Sequence, residues 1–318
     1  MFKFDEKIEL KRGINDVLAV GELLIDMISS EYDDNFESCT YNKYFGGSPA
    51  NIAMNVKNLG INSIIVSAVG DDGLGQFLIN NIRDAGLDTK YIQEVENSTS
   101  MVVITKSKNN PVPIFYRDAD YNLDYTFELE HAIRKSKIVH FSCWPISRMP
   151  ARNTIEKLIV EANENGSLIC FDPNYHPRSW QKGEDGVKYV KSIISSVDII
   201  KPSEADAERL FGKDRYENQV EKFLNLGVKL VIMTLGKDGA IVSNGEETVI
   251  LDTMATEVVD TTGAGDAFWS GFYAAIVKGY TLRKSLFFGF AVSAYKLKHT
   301  GAVVNLPKLE EIEKLYGL

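Results

Sequence analysis

The sequence predicts an α/β fold, a doubly wound and mostly parallel sheet, with a second, smaller β-sheet inserted into it. Three observations carry that reading. After Lys137, short apolar runs at 138–142, 168–171 and 197–200 alternate with helical patterns near 151–165 and 187–196, the order that produces parallel strands joined by crossover helices. The run 16–28 is apolar on both faces at its start, as a central parallel strand is. Late in the chain, 258–272 passes from an apolar β-type run through a Gly-rich polar turn into a helix, the kind of strand end where open α/β sheets place their ligands.

Composition narrows the function. The chain has 318 residues, 44% apolar and 25% charged, ordinary for a folded domain, and 1–318 reads as one large α/β domain with a small appendage. A net charge of −9 argues against nucleic acid as a partner, so any phosphate site must be local. Cys39, Cys143 and Cys170 are widely spaced and read as reduced, buried thiols of a cytoplasmic protein. The first residues mix charges and do not form a signal peptide, and no apolar run approaches the ~20 residues that span a bilayer.

Along the chain, Asp26 falls at the end of the first strand, where it either faces solvent or accepts hydroxyls. Residues 28–45 are polar and aromatic without helical periodicity. In Gly46-Gly-Ser-Pro-Ala-Asn51, Ser48 is the expected N-cap and Pro49 the first helical residue, with Gly60 as the stop. A strand at 62–69 leads to Gly70-Asp-Asp-Gly73, where Asp71 and Asp72 read as caps; the spacing is not that of a dinucleotide fingerprint. Alternating runs at 101–105 and 113–117, separated by Lys-Asn-Asn-Pro, read as a hairpin. With 28–45 it predicts a small sheet folded over the main domain as a lid, formed by insertions at approximately 28–45 and 98–125. Ser203 is a good N-cap with acids in the first turn behind it, and 228–239 reads as a strand, a tight turn and a second strand. Residues 282–298 form a helix.

At the central turn, Gly263 and Gly265 open a tight path into a helix whose free amides and dipole attract an anion. Asp266 is either a cap or the base that takes a proton from an acceptor hydroxyl beside a transferring phosphoryl group. No P-loop is present. Asp260-Thr-Thr-Gly-Ala-Gly-Asp266 resembles the DTxGAGD signature of the ribokinase-like (PfkB-type) carbohydrate kinases, and the resemblance extends over nearly the whole chain. It implies a three-layer α/β/α fold, ATP and Mg²⁺ as cosubstrate and ion, Asp266 as catalytic base, and Gly263, Ala264 and Gly265 as the amides that hold phosphate.

The same resemblance assigns Asp26, Gly46, Gly47 and Asn51 to the sugar. It gives Tyr116 and Arg117, otherwise plain edge-strand residues, a contact with the sugar or its acid group. Asp172-Pro-Asn174 matches a segment of fructokinase-like members and brings Asp172 to the substrate and Asn174 and His176 to ATP; His176 stands where an Arg is usual, with Arg178 two residues on. Ser203 and Asp206 replace the family's Asn and Glu near the nucleotide, leaving Asp206 or Glu204 to order Mg²⁺ through water. Thr234, Gly236 and Gly239 fall on the nucleotide segment. Asp260 and Thr262 resemble the K⁺ site of some members. The expected activity is phosphorylation of a primary sugar hydroxyl, fructose to fructose 6-phosphate, with 2-keto-3-deoxygluconate kinase as the alternative and a non-catalytic sugar-binding regulator as the reading from another class. A homodimer through the lid is expected.

Overall fold

The computed structural model describes residues 2–107 and 113–318; the Lys-Asn-Asn-Pro turn lies outside the described residues. Thirteen strands are seen among those residues: β1 (Asn15–Val20), β2 (Leu24–Tyr32), β3 (Tyr41–Gly46), β4 (Ser63–Gly70), β5 (Ile92–Val95), β6 (Met101–Lys106), β7 (Ile114–Tyr116), β8 (Ser136–Ser142), β9 (Leu168–Asp172), β10 (Ile199–Ile200), β11 (Leu230–Thr234), β12 (Ala240–Ser243) and β13 (Thr248–Leu251). Nine of them form one sheet in the order β13-β12-β11-β10-β9-β8-β1-β4-β5, parallel except for the β11-β12-β13 edge. The other four form a sheet in the order β3-β2-β6-β7.

Period-2 alternation within the parallel strands sends neighbouring residues to opposite cores. Val17 and Ile138 pack on one side with Phe268, Trp269 and Phe272, whereas Leu18 and Val139 pack on the other with Ile155 and Leu158. A strand buried on both faces must be apolar at every position, which is why these runs lack a polar face. The helix Ala264–Val277 is buried almost all round, between the sheet and the helix Leu282–Leu297. Gly271 and Gly289 permit that approach; a Cβ on Gly271 would lie 2.5 Å from the Phe288 carbonyl oxygen. Dense packing on both sides fixes the N-terminus of this helix in space.

Two expectations are corrected here. The run 16–28 is not one strand: it ends at Val20 and restarts at Leu24, so Asp26 belongs to the small sheet, paired opposite Tyr44 and Val102. The break falls at Gly21, where a Cβ would lie 2.9 Å from the Pro49 ring. The apolar pair before Asp260 is not a strand either. Val258 and Val259 are exposed, and the Val259 and Asp260 amides donate to the Leu297 carbonyl, so a helix end replaces a sheet ladder.

The 101–105 and 113–117 runs do pair antiparallel, as β6 and β7. Tyr44, Ile114 and Tyr116 leave apolar surface on the small sheet. Cys39 is exposed, not buried; Cys143 and Cys170 are buried, and the three are unpaired. Among the described residues no helix is long and apolar enough to cross a membrane.

Candidate active site

The turn before the helix Ala264–Val277 is shaped by glycine. Gly263 adopts φ +73°, and a Cβ there would lie 2.7 Å from Ala302. The Ala264 amide donates to the Thr261 carbonyl at 3.2 Å, so it is not free for an anion as expected. Among the described residues, the amides of Gly265 and Asp266 have no acceptor, and they point out of the helix start. Lys201 supplies a charge beside them: its Nζ lies 3.3 Å from where a Gly265 Cβ would be. It is held by Asp172 Oδ2 at 2.9 Å, and that oxygen also accepts from Trp269 Nε1 at 2.8 Å. Asp172 therefore positions Lys201.

Asp266 opens the helix and faces the Gly46–Gly47 turn. Ser48 Oγ donates to Asp266 Oδ1 at 2.6 Å and Asn51 Nδ2 to Oδ2 at 2.9 Å. Ser48 is thus not the expected cap; Gly47 takes the cap position and frees the hydroxyl for Asp266. Burial among protein atoms pushes the Asp266 carboxyl up to about 6, while the Ser48 and Asn51 bonds and the Lys201 charge pull it back. Such a group is largely ionised at neutral pH and still basic enough to accept a proton.

Behind the turn, Glu22 Oε1 accepts from the Ser48 amide at 3.2 Å, and Oε2 is buried without a partner; burial pushes Glu22 up to about 8. Burial likewise raises Asp26 to about 7, and its carboxyl has no hydrogen-bond partner among the described residues. Both glycines of the turn are required by these neighbours. A Cβ on Gly46 would strike the Asp26 carboxylate, and one on Gly47, at φ +115°, the Glu22 carbonyl. Asp266 thus bonds the start of the helix that follows the Gly46–Gly47 turn, Asp26 and Glu22 abut that turn, and the amides of Gly265 and Asp266 lie at the start of the next helix, an arrangement suited to hydroxyls on one side and phosphate on the other.

Comparison with known proteins decides the family. The pfkB family carbohydrate kinase pattern matches residues 14–309. The chain belongs to that family. This PfkB kinase is 62% identical, over 100% of its own length and 99% of the relative's, to an ATP-dependent 6-phosphofructokinase of Thermoanaerobacterium thermosaccharolyticum. It resembles the structure of Halothermothrix orenii fructokinase with a TM-score of 0.78 and 40% identity, covering 86% of this chain and 97% of that one. It also resembles an Escherichia coli protein provisionally assigned as ribokinase II, solved with ATP and Mg²⁺, with a TM-score of 0.81 and 25% identity over 95% and 99% of the two chains. The protein is an ATP-dependent phosphotransferase with an alcohol acceptor.

The remaining expected positions of this PfkB kinase divide by what their polar atoms already do. Arg117 does not extend into the pocket. Its guanidinium is buried and fully committed, to Asp120 at 2.6 and 2.9 Å, Ser147 Oγ at 2.6 Å, the Ser179 carbonyl at 3.2 Å and the Trp144 carbonyl at 3.1 Å. Its neighbour Tyr116 is exposed, whereas Phe115 packs against Trp144 and His176 at 5.0 and 5.2 Å, bringing β7 over the loop after β9. In that loop Asn174 holds φ +37°, a strained value for a side-chain-bearing residue. Burial, then Arg209 and Arg178, hold His176 below its ordinary value.

Both Asp206 oxygens are already engaged within the chain: Oδ2 accepts from the Ser203 amide and hydroxyl at 3.0 and 2.6 Å, and Oδ1 from the Tyr175 amide at 2.6 Å. Ser203 is spent in the same capping box, and exposed Glu204 bonds Tyr216 Oη at 2.9 Å. Among the described residues no cluster of three His, Cys, Asp or Glu could hold a metal.

Thr234 ends β11 with its amide on the Pro202 carbonyl at 2.9 Å. Gly236, at φ +56°, faces open space, while Gly239 abuts Leu251. Asp260 receives the Thr262 amide and hydroxyl on Oδ1 at 2.9 and 2.7 Å and the Gly301 amide on Oδ2 at 2.7 Å. Lys201, Ser48 and Glu22 were not singled out from the sequence as part of the site. For Lys201 a local signal existed, a lysine directly after a buried strand on the side where ligands bind.

Proposed function

We propose that the enzyme transfers the γ-phosphoryl group of ATP to the C1 hydroxyl of fructose 6-phosphate. The full-length 62% identity to a relative named for that sugar carries the reading. The distribution of charge supports it. Around the Gly46–Gly47 turn beside Asp266, burial pushes the Asp26 and Glu22 carboxyls up to about 7 and about 8, so they hydrogen-bond hydroxyls and bring no positive charge for an anion, and a neutral polyol end belongs there. The loop after β9 carries His176 and Arg178, and the turn after the helix Cys143–Ile146 carries Arg148, which among the described residues donates through Nε alone, to the Ser179 carbonyl at 3.0 Å. An anionic 6-phosphate belongs at that end. Fructose itself is the second reading, favoured by the 40% identity to a fructokinase.

In this mechanism the acceptor hydroxyl takes the place of Ser48 Oγ on Asp266. As its oxygen bonds phosphorus, its proton passes to Asp266, and the β–γ bridging bond breaks with its electron pair leaving on ADP. The Gly265 and Asp266 amides and the Lys201 ammonium take up charge on the phosphoryl oxygens. Mg²⁺ would come in on the ATP phosphates and neutralise their charge, since among the described residues no cluster of three His, Cys, Asp or Glu offers it a site. The nucleotide lies between the open face of Gly236 and the Gly263 turn, with Thr234 and Asn174 near it. The small sheet, with β7 packed on Trp144 and His176, acts as the lid that keeps water from competing as acceptor.

Steady-state turnover of fructose 6-phosphate, fructose, 2-keto-3-deoxygluconate and 5-dehydro-2-deoxygluconate tests the substrate. We expect kcat/KM for fructose 6-phosphate to exceed the others by at least about 10-fold. A preference for fructose replaces the first reading with the second, and sugar binding without turnover of any would leave the non-catalytic regulator.

Asp266 must be ionised to accept the proton, so kcat/KM is expected to fall on the acid side with a midpoint near pH 6. Ser48→Ala removes a donor that favours the ionised form. Its acid limb therefore moves to higher pH, by about one unit or less, with little change at pH 8. An unmoved limb in the alanine variant would show that Ser48 does not tune the base.

A further inference from the structure

Lys296 is a fully buried lysine on the helix Leu282–Leu297, outside the substrate pocket and unused by the mechanism above. Its Nζ donates to the Asp260 carbonyl oxygen at 2.7 Å and lies 3.8 Å from Asp260 Oδ2. Among the described residues these are its polar contacts. The segment it touches is the entry to the catalytic turn, and the same helix grips that turn at two further points: Leu297 accepts the Val259 and Asp260 amides, and Ser293 Oγ donates to the Ala264 carbonyl at 3.0 Å.

A monovalent cation bound at Asp260 and Thr262 would need oxygens that face it with lone pairs free. That requirement is not met. The Asp260 carboxylate already receives three donors, two from Thr262 and one from Gly301, and the Asp260 carbonyl is taken by an ammonium. A K⁺ ion brought to these oxygens would meet a fixed like charge in a buried setting, where repulsion is poorly screened. The residues therefore do not fit the K⁺ site that the sequence resembles.

We propose that Lys296 is a tethered replacement for the monovalent cation: its ammonium supplies, from within the chain, the positive charge behind the anion-binding turn, and phosphoryl transfer is independent of K⁺. An ammonium group and a K⁺ ion are similar in size and charge, and both bind carbonyl oxygens. Burial lowers Lys296 from the ordinary lysine value, while the Asp260 and then the Asp266 carboxylate favour its charged form, so its ammonium is in electrostatic contact with the reacting end. Asp260 itself, though burial raises it, is held below the ordinary carboxylate range by the Gly301 and Thr262 donors and then by Lys296. Lys296 acts as a positioning residue, holding the turn that presents the Gly265 and Asp266 amides. This inference rests on the phosphoryl-transfer site proposed above and not on the identity of the sugar.

The test compares turnover and thermal midpoint of the wild-type enzyme in KCl, NaCl and tetramethylammonium chloride at equal ionic strength, with Mg²⁺ and ATP saturating and the best acceptor from the sugar panel. Rates are expected to agree within roughly two-fold, with no midpoint shift specific to K⁺. Lys296→Ala is expected to lose about 10²-fold in kcat and to recover part of it with added K⁺ or methylammonium, and to gain a K⁺-specific rise in thermal midpoint.

Wild-type turnover several-fold faster in K⁺ than in tetramethylammonium overturns the proposal. So does a folded Lys296→Ala enzyme whose rate neither falls nor responds to cations, or falls and is not restored by them. Should Lys296→Ala fail to fold, the wild-type salt response decides alone. Failure of every sugar in the panel would overturn the substrate reading only, since the thermal midpoint in K⁺ still tests the cation.

Discussion

Replacing Asp266 by Asn is expected to lower kcat by at least about 10³-fold, since a positioned general base contributes 10²–10⁴-fold and the amide cannot accept a proton. Sugar and nucleotide binding should persist, because the hydroxyl pocket of Asp26, Glu22 and Asn51 and the free amides of Gly265 and Asp266 are untouched. The side-chain oxygen of Asn can still accept from Asn51 or Ser48, which now hold the carboxylate at 2.9 and 2.6 Å.

Stability moves the other way. The folded carboxyl, at about 6, lies above its unfolded value, so its contribution is fully present below about pH 4 and is lost as pH rises through 6. At pH 8 the Asn variant should therefore be as stable as the wild type or more so, by about 1–2 kcal/mol after allowance for solvent on the open side of the group. Isothermal titration of sugar and nucleotide, single-turnover kinetics and denaturant melts at pH 5 and 8 check both halves. Turnover within ten-fold of wild type would remove Asp266 from its role as base.

Lys201→Met should be the second large effect, with kcat down by about 10²–10³-fold and little change in the dissociation constants of ATP or sugar. Methionine fills the same volume without charge, so the geometry of the Gly263–Gly265 turn survives while the ammonium beside Gly265 is gone. Its loss also leaves Asp172 buried with, among the described residues, only the Trp269 indole as partner, a cost of about 1–3 kcal/mol in stability. A melt therefore has to accompany the kinetics. The distinguishing measurement is binding of MgADP with aluminium fluoride and acceptor, a mimic of the transferring phosphoryl group. Wild type should bind the mimic far more tightly than MgADP alone, and Lys201→Met should lose that gain while keeping MgADP affinity. Retention of the gain, or a kcat within about three-fold of wild type, would assign Lys201 a purely structural role.

Much of the scaffold was legible because its signals are short-range. A strand buried on both faces must be apolar throughout, a helix start needs a cap, and a left-handed turn needs glycine. Strands β8 to β11, the caps at Asp72 and Ser203 and the Gly263 turn follow from such rules. The misreadings share one cause, since a local pattern does not show what its polar atoms will meet. Asp206 and Arg117, to which the family resemblance gave ligands, are engaged by Tyr175 and Ser203, and by Asp120 and Ser147. The Ser48 hydroxyl, read as a cap, meets a carboxylate 218 positions away.

From sequence alone came the α/β class, the family resemblance carried by Asp260-Thr-Thr-Gly-Ala-Gly-Asp266, and the choice of Asp266, Asp26 and the Gly46–Gly47 turn as candidates. The class is a property of periodicity and residue type within a few positions; the roles given to the candidates are what the family resemblance implies. Tertiary structure alone decided that Asp26 stands on the small sheet, that Lys201 is aimed at Gly265 by Asp172, and that Lys296 sits where a cation was expected. Each of those depends on which charge finds which partner once distant strands and helices pack. Burial then makes the pairing decisive, because an ionised group withdrawn from water is stabilised only by the partners that folding brings to it.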